Sequence, residues 1–210
     1  MKTSSTHTAE KFDTSRANEY ARQSRIALAG YDACHDLAAC MLAASLGTTT
    51  SANVLVVGAG GTAQEIIAMA RLEPNWRFMA VDPSAPMLEA ATQQLQANDL
   101  LARTDVHPGR VEDLPADASY DAATLIGVLH HLPGDDAKRE ILRSIHARLK
   151  PGAPLIVAGN HYAYASQPLL LEAWSQPGGG EGQAGQDSSR RRSPAFRGGG
   201  ATAVERLWVC

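Results

Sequence analysis

Residues 54–61 read VLVVGAGG, and this stretch decides the fold. The apolar run 54–57 predicts a buried β-strand, the glycines after it predict a tight turn, and a helical pattern begins directly afterwards. At such a junction the backbone approaches a ligand closely, so a side chain at Gly58 or Gly60 would block it. The helix N-terminus that follows offers N–H groups and the positive end of the helix dipole. The stretch therefore predicts a ligand site at the end of a strand.

Outward from this junction, short apolar segments alternate with longer amphipathic ones. We predict strands at residues 53–57, 77–81, 105–107, 120–126 and 154–158, and helices at residues 62–72, 84–98 and 135–149. Apolar strands without alternation are buried on both faces, so the sheet should be parallel and covered by helices. The pattern predicts an α/β, Rossmann-like, doubly wound fold with a mostly parallel sheet.

The flanking segments divide the chain further. Residues 1–16 are predicted to be a flexible arm, and residues 17–50 an N-terminal helical cap that Gly30 divides and Gly47 ends. Residues 51–174 form the main domain, and residues 175–210 form a Gly/Arg-rich, aberrant or disordered tail.

The tail holds eight of the 18 glycines, and five arginines against three acidic residues. The tail shows no recognisable strand before its last few residues, and thus no closing C-terminal hairpin for the sheet. We therefore expect the strand at 154–158 to be an unpaired apolar edge, which is an aggregation hazard. One hypothesis is that the tail is a frameshift product. The alternative is a basic, glycine-rich segment that binds a partner such as RNA, for which a charge of +2 is weak.

The composition excludes several broad classes. The chain has 210 residues, 44% hydrophobic and 20% charged, with a formal net charge of −3, which favours a globular domain without attraction to nucleic acid or anionic membranes. We expect neither a signal peptide nor a transmembrane segment, and three cysteines suggest neither a disulfide framework nor a metal site. We expect a soluble cytoplasmic protein. The sequence does not indicate its oligomeric state.

The glycine turn alone does not identify the cofactor. Gly58, Gly60 and Ala63 also satisfy the dinucleotide pattern G-x-G-x-x-A. Asp82, at the end of the second predicted strand, is suited to accept hydrogen bonds from ribose hydroxyls, which both cofactor classes carry. The alternative for Asp82 is a helix N-cap or turn residue in the sequence Asp82-Pro83-Ser84.

Four segments in order resolve this choice: VLVVGAGG, AVDPSAPMLEAA, GRVEDLPADASYDAATLIGVLHHL and ILRSIHARLKPGAPLIVA. Together they resemble the class I S-adenosylmethionine-dependent methyltransferase family over about residues 50–160. The resemblance implies that the cofactor is S-adenosylmethionine. It assigns cofactor-binding roles to Gly58, Ala59, Gly60, Asp82, Pro83, Val111, Glu112 and Gly127. Asp82 would hold the ribose, Val111 and Glu112 would flank the adenine, and Gly127 would line the methionine side.

Two departures from the family pattern stand out. Thr62 replaces the third turn glycine, so the loop should be slightly re-angled. Arg110 stands where an acidic residue often contacts the adenine amino group, and a cation cannot accept that hydrogen bond.

The segment FDTSRANEYARQSRI resembles the N-terminal cap of small-molecule methyltransferases, and Tyr20 and Arg25 are the candidates to close over the cofactor. The alternative is an ordinary amphipathic helix. His130, His131, His161 and Tyr162 follow the fourth and fifth strands, where substrates bind in this fold class. His131 is the candidate catalytic base, and the alternative is a loop histidine capping the next helix. No metal site is predicted.

The leading hypothesis is a methyltransferase that moves the methyl group of S-adenosylmethionine to a small-molecule acceptor by in-line displacement. A general base is needed only if the acceptor must lose a proton. The alternatives are an NAD-dependent oxidoreductase and a truncated, non-catalytic methyltransferase fragment. No membrane partner is expected, and a nucleic-acid substrate is disfavoured.

Overall fold

A computed structural model describes residues 14–27, 30–47, 51–159 and 207–209. The helices are α1 (Thr14–Ala27), α2 (Tyr31–Leu46), α3 (Gln64–Leu72), α4 (Ala85–Ala97) and α5 (Gly134–His146). The strands are β1 (Asn53–Val57), β2 (Arg77–Asp82), β3 (Thr104–Pro108), β4 (Ala122–Ile126), β5 (Leu155–Ala158) and β6 (Leu207–Val209). Among these described residues, none of the helices has the length and apolar character required to cross a membrane.

The strands form one parallel sheet in the order β3-β2-β1-β4-β5-β6. The chain builds outward from β1 to β3 on one side and then returns to β4 on the other. The direction of winding therefore changes between β1 and β4, and ligands of doubly wound sheets bind in the crevice at such a point. The predicted Rossmann-like α/β class is confirmed.

Both faces of the sheet are buried, as the unalternating strands predicted. On one face Val54 and Val56 of β1 pack in a core with the helices α2, α3 and α4. On the other face Leu55 and Val57 pack with Ile145 of α5. Because successive side chains point to opposite faces, one five-residue strand anchors both cores.

The helical cap is part of the first of these cores. Gly30 separates α1 from α2 in a left-handed conformation (φ 79°), and Gly47 follows the end of α2, as predicted. Leu42 of α2 is completely buried against the domain, whereas Leu37 on the same helix is 51% exposed. Helix α2 therefore contributes to the stability of the domain.

Among the element boundaries that differ from the prediction, two have a clear local reason. Helix α3 begins at Gln64 rather than at residue 62, because Ala63 adopts a left-handed conformation (φ 50°) and the Thr62 hydroxyl accepts the Gln64 N–H at 3.3 Å. Strand β4 begins at Ala122, and Tyr120 instead forms an isolated bridge to Leu149.

The expectation that residues 154–158 form an unpaired edge is wrong. β6 pairs with β5 in parallel register, Leu155 with Leu207 and Val157 with Val209. The sequence Leu207-Trp208-Val209 consists of residues that favour strands, and its backbone meets the hydrogen-bonding groups that β5 would otherwise expose. This strand is parallel, unlike a closing hairpin. The arm up to residue 13, and residues 160–206 with most of the proposed frameshifted tail, lie outside the described residues.

We expect Leu42→Ala to lower the free energy of unfolding by about 2–5 kcal/mol, because it leaves a cavity under α2. The matched substitution Leu37→Ala on the same helix should change it by less than about 0.5 kcal/mol. Urea unfolding followed by circular dichroism measures both values. Equal effects would contradict the packing of α2 against the sheet.

Candidate cofactor site

The glycine turn after β1 is fastened to the end of β2 by its own backbone. The N–H groups of Gly58 and Ala59 both donate to the carbonyl of Val81, at 2.8 and 3.2 Å. The Gly60 N–H donates to Oδ2 of Asp82 at 3.0 Å. The turn and the strand end therefore form one unit, and the turn's N–H groups at these three positions already have partners.

The turn is too crowded for side chains. A Cβ on Gly60 would lie 2.6 Å from both Asp82 Oδ2 and Met87 Cβ, and a Cβ on Gly58 would lie 2.3 Å from a methyl of Val128. A Cβ on Gly61 would lie 2.4 Å from the ring of Tyr20. Side chains at Gly58 and Gly60 are thus excluded by contacts within the protein itself, which is a different reason from the ligand approach that the sequence suggested.

Asp82 has the turn role that the sequence offered as the alternative to ribose binding. Its Oδ1 accepts the Ser84 N–H at 2.8 Å, which fixes the start of α4, while its Oδ2 accepts the Gly60 N–H. Burial raises the pKa of Asp82 above its ordinary value, and these two backbone donors oppose the rise. A carboxylate has about four acceptor positions, so capacity for ribose hydroxyls remains.

A cavity of about 230 Å³ opens beside the turn at the carboxyl ends of β1 and β4. Six of the predicted site residues line it: Tyr20, Gly58, Ala59, Gly60, Gly127 and His131. The other predicted residues, Arg25, Asp82, Pro83, Val111 and Glu112, are not in its lining. The cavity is therefore bounded by the glycine turn, the cap helices and the segment after β4.

The residues predicted to flank the adenine lie in one short turn (Val111–Asp113). The Val111 side chain is buried, whereas Glu112 is exposed and its Oε1 lies 3.2 Å from Nη1 of Arg110. Arg110, the residue that departs from the family pattern, is thus paired with the neighbouring carboxylate.

The two cap candidates occupy different positions. The ring of Tyr20 lies against Gly61. Burial raises the pKa of its phenol, and the neighbouring Tyr31, Glu65 and Asp82 raise that pKa further. Arg25 instead forms a bidentate ion pair with Asp32 of α2, at 2.9 and 2.8 Å, and its guanidinium lies 5.3 Å from the ring centre of Tyr31. Arg25 therefore joins α1 to α2, and only Tyr20 reaches the cavity.

The two adjacent histidines follow β4 in a short helical turn (Leu129–His131). Their ring centres are 4.0 Å apart, and both side chains line the cavity. Among the residues that the structure describes, no group of three or more metal-binding side chains occurs. The other two candidates after the strands, His161 and Tyr162, lie outside the described residues.

Sequence reasoning missed a buried polar group at the cavity, formed by Glu65 and His35 of the cavity lining and by Thr124 behind them. The Thr124 hydroxyl donates to Oε2 of Glu65 at 3.3 Å, and Nε2 of His35 lies 4.0 Å from Oε1. Burial raises the pKa of Glu65 to about 8 and lowers that of His35. An available signal was the charge of Glu65 within QEIIAMARL, where the next four residues are all apolar.

The comparisons with known proteins agree with this geometry. Residues 55–155 match the model of a methyltransferase domain. The chain is 32% identical over 116 residues to a demethylmenaquinone methyltransferase of Lactiplantibacillus plantarum, covering 54% of this chain and 47% of the relative. The chain thus spans about half the length of this curated relative.

Two solved structures illustrate the shared fold. A Methanococcus maripaludis protein assigned as an S-adenosyl-L-methionine-dependent methyltransferase superposes with a TM-score of 0.59 at 20% identity, covering 77% of this chain and 70% of that one. The mitomycin 7-O-methyltransferase has a TM-score of 0.50 at 25% identity, covering 65% of this chain and 40% of that one.

The buried Glu65 should make stability fall as the pH rises. Its pKa is about 8 in the folded protein and 4.5 as an ordinary value, so between these limits the unfolded chain releases a proton that the folded chain retains. Each pH unit in this window should cost up to about 1.4 kcal/mol. Urea titrations of wild type and Glu65→Gln at pH 5 to 8 should therefore diverge, with the variant gaining relative stability at higher pH.

His35 titrates in both proteins, so the difference between them isolates Glu65. Glu89→Gln, on the exposed side of α4, is the matched control. A Glu65→Gln difference that does not change with pH would contradict the neutral, buried state of Glu65.

Proposed function

The chain belongs to the class I S-adenosylmethionine-dependent methyltransferase family, and on this premise we propose that it methylates a small-molecule acceptor. The observation that supports this most strongly is the glycine turn held beneath Asp82, beside a cavity at the carboxyl ends of the parallel strands. A helix-covered sheet with this opening is where ligands of doubly wound folds bind.

The residues present fit the cofactor. Gly127 has a positive φ of 73°, and a Cβ placed on it would meet nothing within 4 Å, so the backbone there borders open space in the cavity. Gly127 would line the methionine end, next to Gly58 and Ala59. Asp82 and Pro83 would lie at the ribose, and Val111 and Glu112 at the adenine.

Tyr20 would act as the closing group of the cap. Its ring already lies against Gly61, near Asp82, and it is held there by a helix that Arg25 ties to α2. In this role α1 would move its tyrosine as the cofactor enters and cover the site afterwards. Covering the site excludes water from the reaction.

When bound, S-adenosylmethionine supplies a sulfonium methyl group that is already a strong electrophile. The work of this chain is then to hold the acceptor in line and to keep water out. His131, in the cavity wall after β4, would take a proton from an acceptor hydroxyl or amine that must lose one.

Two observations support a small-molecule acceptor: the names of similar methyltransferases and the net charge of this chain. A demethylmenaquinone methyltransferase and a mitomycin 7-O-methyltransferase both act on small organic molecules by name. The formal net charge of −3 gives no general attraction to nucleic acid. Both observations favour a small molecule.

The first test measures the cofactor site. We expect S-adenosylhomocysteine to bind wild type in calorimetry, and Asp82→Ala to weaken the binding by about 10- to 100-fold, because the ribose hydroxyls and the turn lose a shared acceptor. Asp105→Ala, which removes an exposed carboxylate on the neighbouring β3, is the matched control. Binding of NAD instead would support the oxidoreductase alternative.

The second test measures the reaction. Wild type is incubated with methyl-labelled S-adenosylmethionine and a whole extract of its native cells, and the products are separated by size afterwards. Wild type should place label in the small-molecule fraction, and Asp82→Ala should not. Label found only in protein or nucleic acid would overturn the acceptor class. Binding of S-adenosylhomocysteine without any transfer would indicate the non-catalytic alternative.

A further inference from the structure

The proposed reaction gives no role to Glu65, although its carboxyl group lies in the cavity wall. The side chain is 8% exposed and belongs to the first turn of α3, just after the glycine turn. Burying a carboxyl group without a cation costs free energy whether it is kept neutral or charged. Such a group in a cleft is a candidate for function.

The contacts of Glu65 hold one oxygen and leave the other available. Oε2 accepts the Thr124 hydroxyl at 3.3 Å. Oε1 lies 4.0 Å from Nε2 of His35, which is beyond hydrogen-bonding distance. Nδ1 of His35 is itself engaged with the carbonyl of Tyr31 at 2.7 Å. One carboxyl oxygen of Glu65 can therefore accept a donor from a ligand.

The surroundings of Glu65 favour an incoming cation. Burial lowers the pKa of His35, so this neighbour is uncharged at neutral pH, and the carboxylate of Asp82 adds a like charge. The titratable groups near Glu65 or in the same cavity wall are Tyr20 on α1, Tyr31 and His35 on α2, Asp82 on β2, and His130 and His131 after β4. Among the described residues that line the cavity, Glu65 alone carries a carboxyl group.

The glycine turn cannot supply the same contact. The N–H groups of Gly58, Ala59 and Gly60 donate within the protein, as does that of Gly61. Moreover, an N–H group repels an ammonium group rather than binding it. Glu65 therefore supplies a carboxyl acceptor in this cavity lining that the turn does not offer.

We propose that Glu65 binds the α-ammonium group at the methionine end of the cofactor, and that this binding displaces a proton from Glu65 into solvent. The proposal rests on the methyltransferase function proposed above. No covalent bond changes: an O–H group ionises and an ammonium–carboxylate pair replaces it.

The proposal predicts proton-linked binding. Because the pKa of Glu65 is about 8 in the empty cavity, the group is mostly neutral at pH 7. Binding of S-adenosylhomocysteine at pH 7 should therefore release about one proton, and its affinity should rise about tenfold per pH unit between pH 6 and pH 7. Calorimetry in buffers of different ionisation enthalpy measures the released proton directly.

Three probes separate the ammonium group from the rest of the cofactor. S-adenosylhomocysteine carries the ammonium and the carboxylate, 5′-deoxy-5′-(3-aminopropylthio)adenosine carries only the ammonium, and 5′-methylthioadenosine carries neither. The first two should release a proton from wild type and the third should not. The proposal would be overturned if all three probes released the same number of protons. It would also be overturned if the ammonium-bearing probes bound without releasing a proton.

Variants test the residue. Glu65→Gln should abolish proton release and weaken the two ammonium-bearing probes by at least about tenfold at pH 8, with 5′-methylthioadenosine unchanged. Glu89→Gln should behave as wild type. Thr124→Val removes a donor that stabilises the ionised carboxylate, so it should move the proton-release profile to higher pH with Glu65 intact.

The outcomes distinguish the two proposals. Binding of S-adenosylhomocysteine that is insensitive to Glu65→Gln overturns the role of Glu65 and leaves the methyltransferase function standing. A folded wild-type chain that binds none of the three probes overturns the proposed function, and the role of Glu65 with it.

Discussion

The hydrogen bonds between the glycine turn and the end of β2 are the constraint on which the site depends. Val81 accepts from Gly58 and Ala59, and Asp82 accepts from Gly60, so the turn is held close against β2. No room remains for a Cβ at Gly60. Because the turn is held against the end of β2, it leaves space for the cavity at the carboxyl ends of β1 and β4. Helix α3 begins directly after the turn. Asp82 therefore fastens both the turn, through the Gly60 N–H, and the start of α4, through the Ser84 N–H.

The helical cap completes this site rather than merely covering it. The Tyr31 hydroxyl lies 2.7 Å from the hydroxyl of Thr62, the residue that replaces the third turn glycine. His35 comes from the same helix and faces Glu65. Packing of α2 against α3 therefore removes water from Glu65, and this burial raises its pKa to about 8. The chemical character of the cavity is set by a contact between the cap and the sheet domain.

Much of the fold could be predicted because its signals are local. The apolar run of β1 gave the bounds Asn53–Val57, and Gly30 divided the cap at the predicted place. Prediction failed where a distant partner decided the outcome. The strand after residue 154 is paired because residues 207–209 return to it, and no pattern near β5 indicates this. The ion pair by which Arg25 joins α1 to α2 likewise depends on a partner on another helix, and no pattern near Arg25 indicates it.

The sequence by itself determined the fold class, the glycine turn and the placement of Asp82 at a strand end, because periodicity and backbone sterics act over a few residues. The resemblance to a family added the cofactor. Only the tertiary structure decided the group of Glu65, His35 and Thr124, whose members are separated by up to 89 positions in the chain. The physical reason is that burial, and with it the protonation of a carboxyl group, depends on every element packed around it.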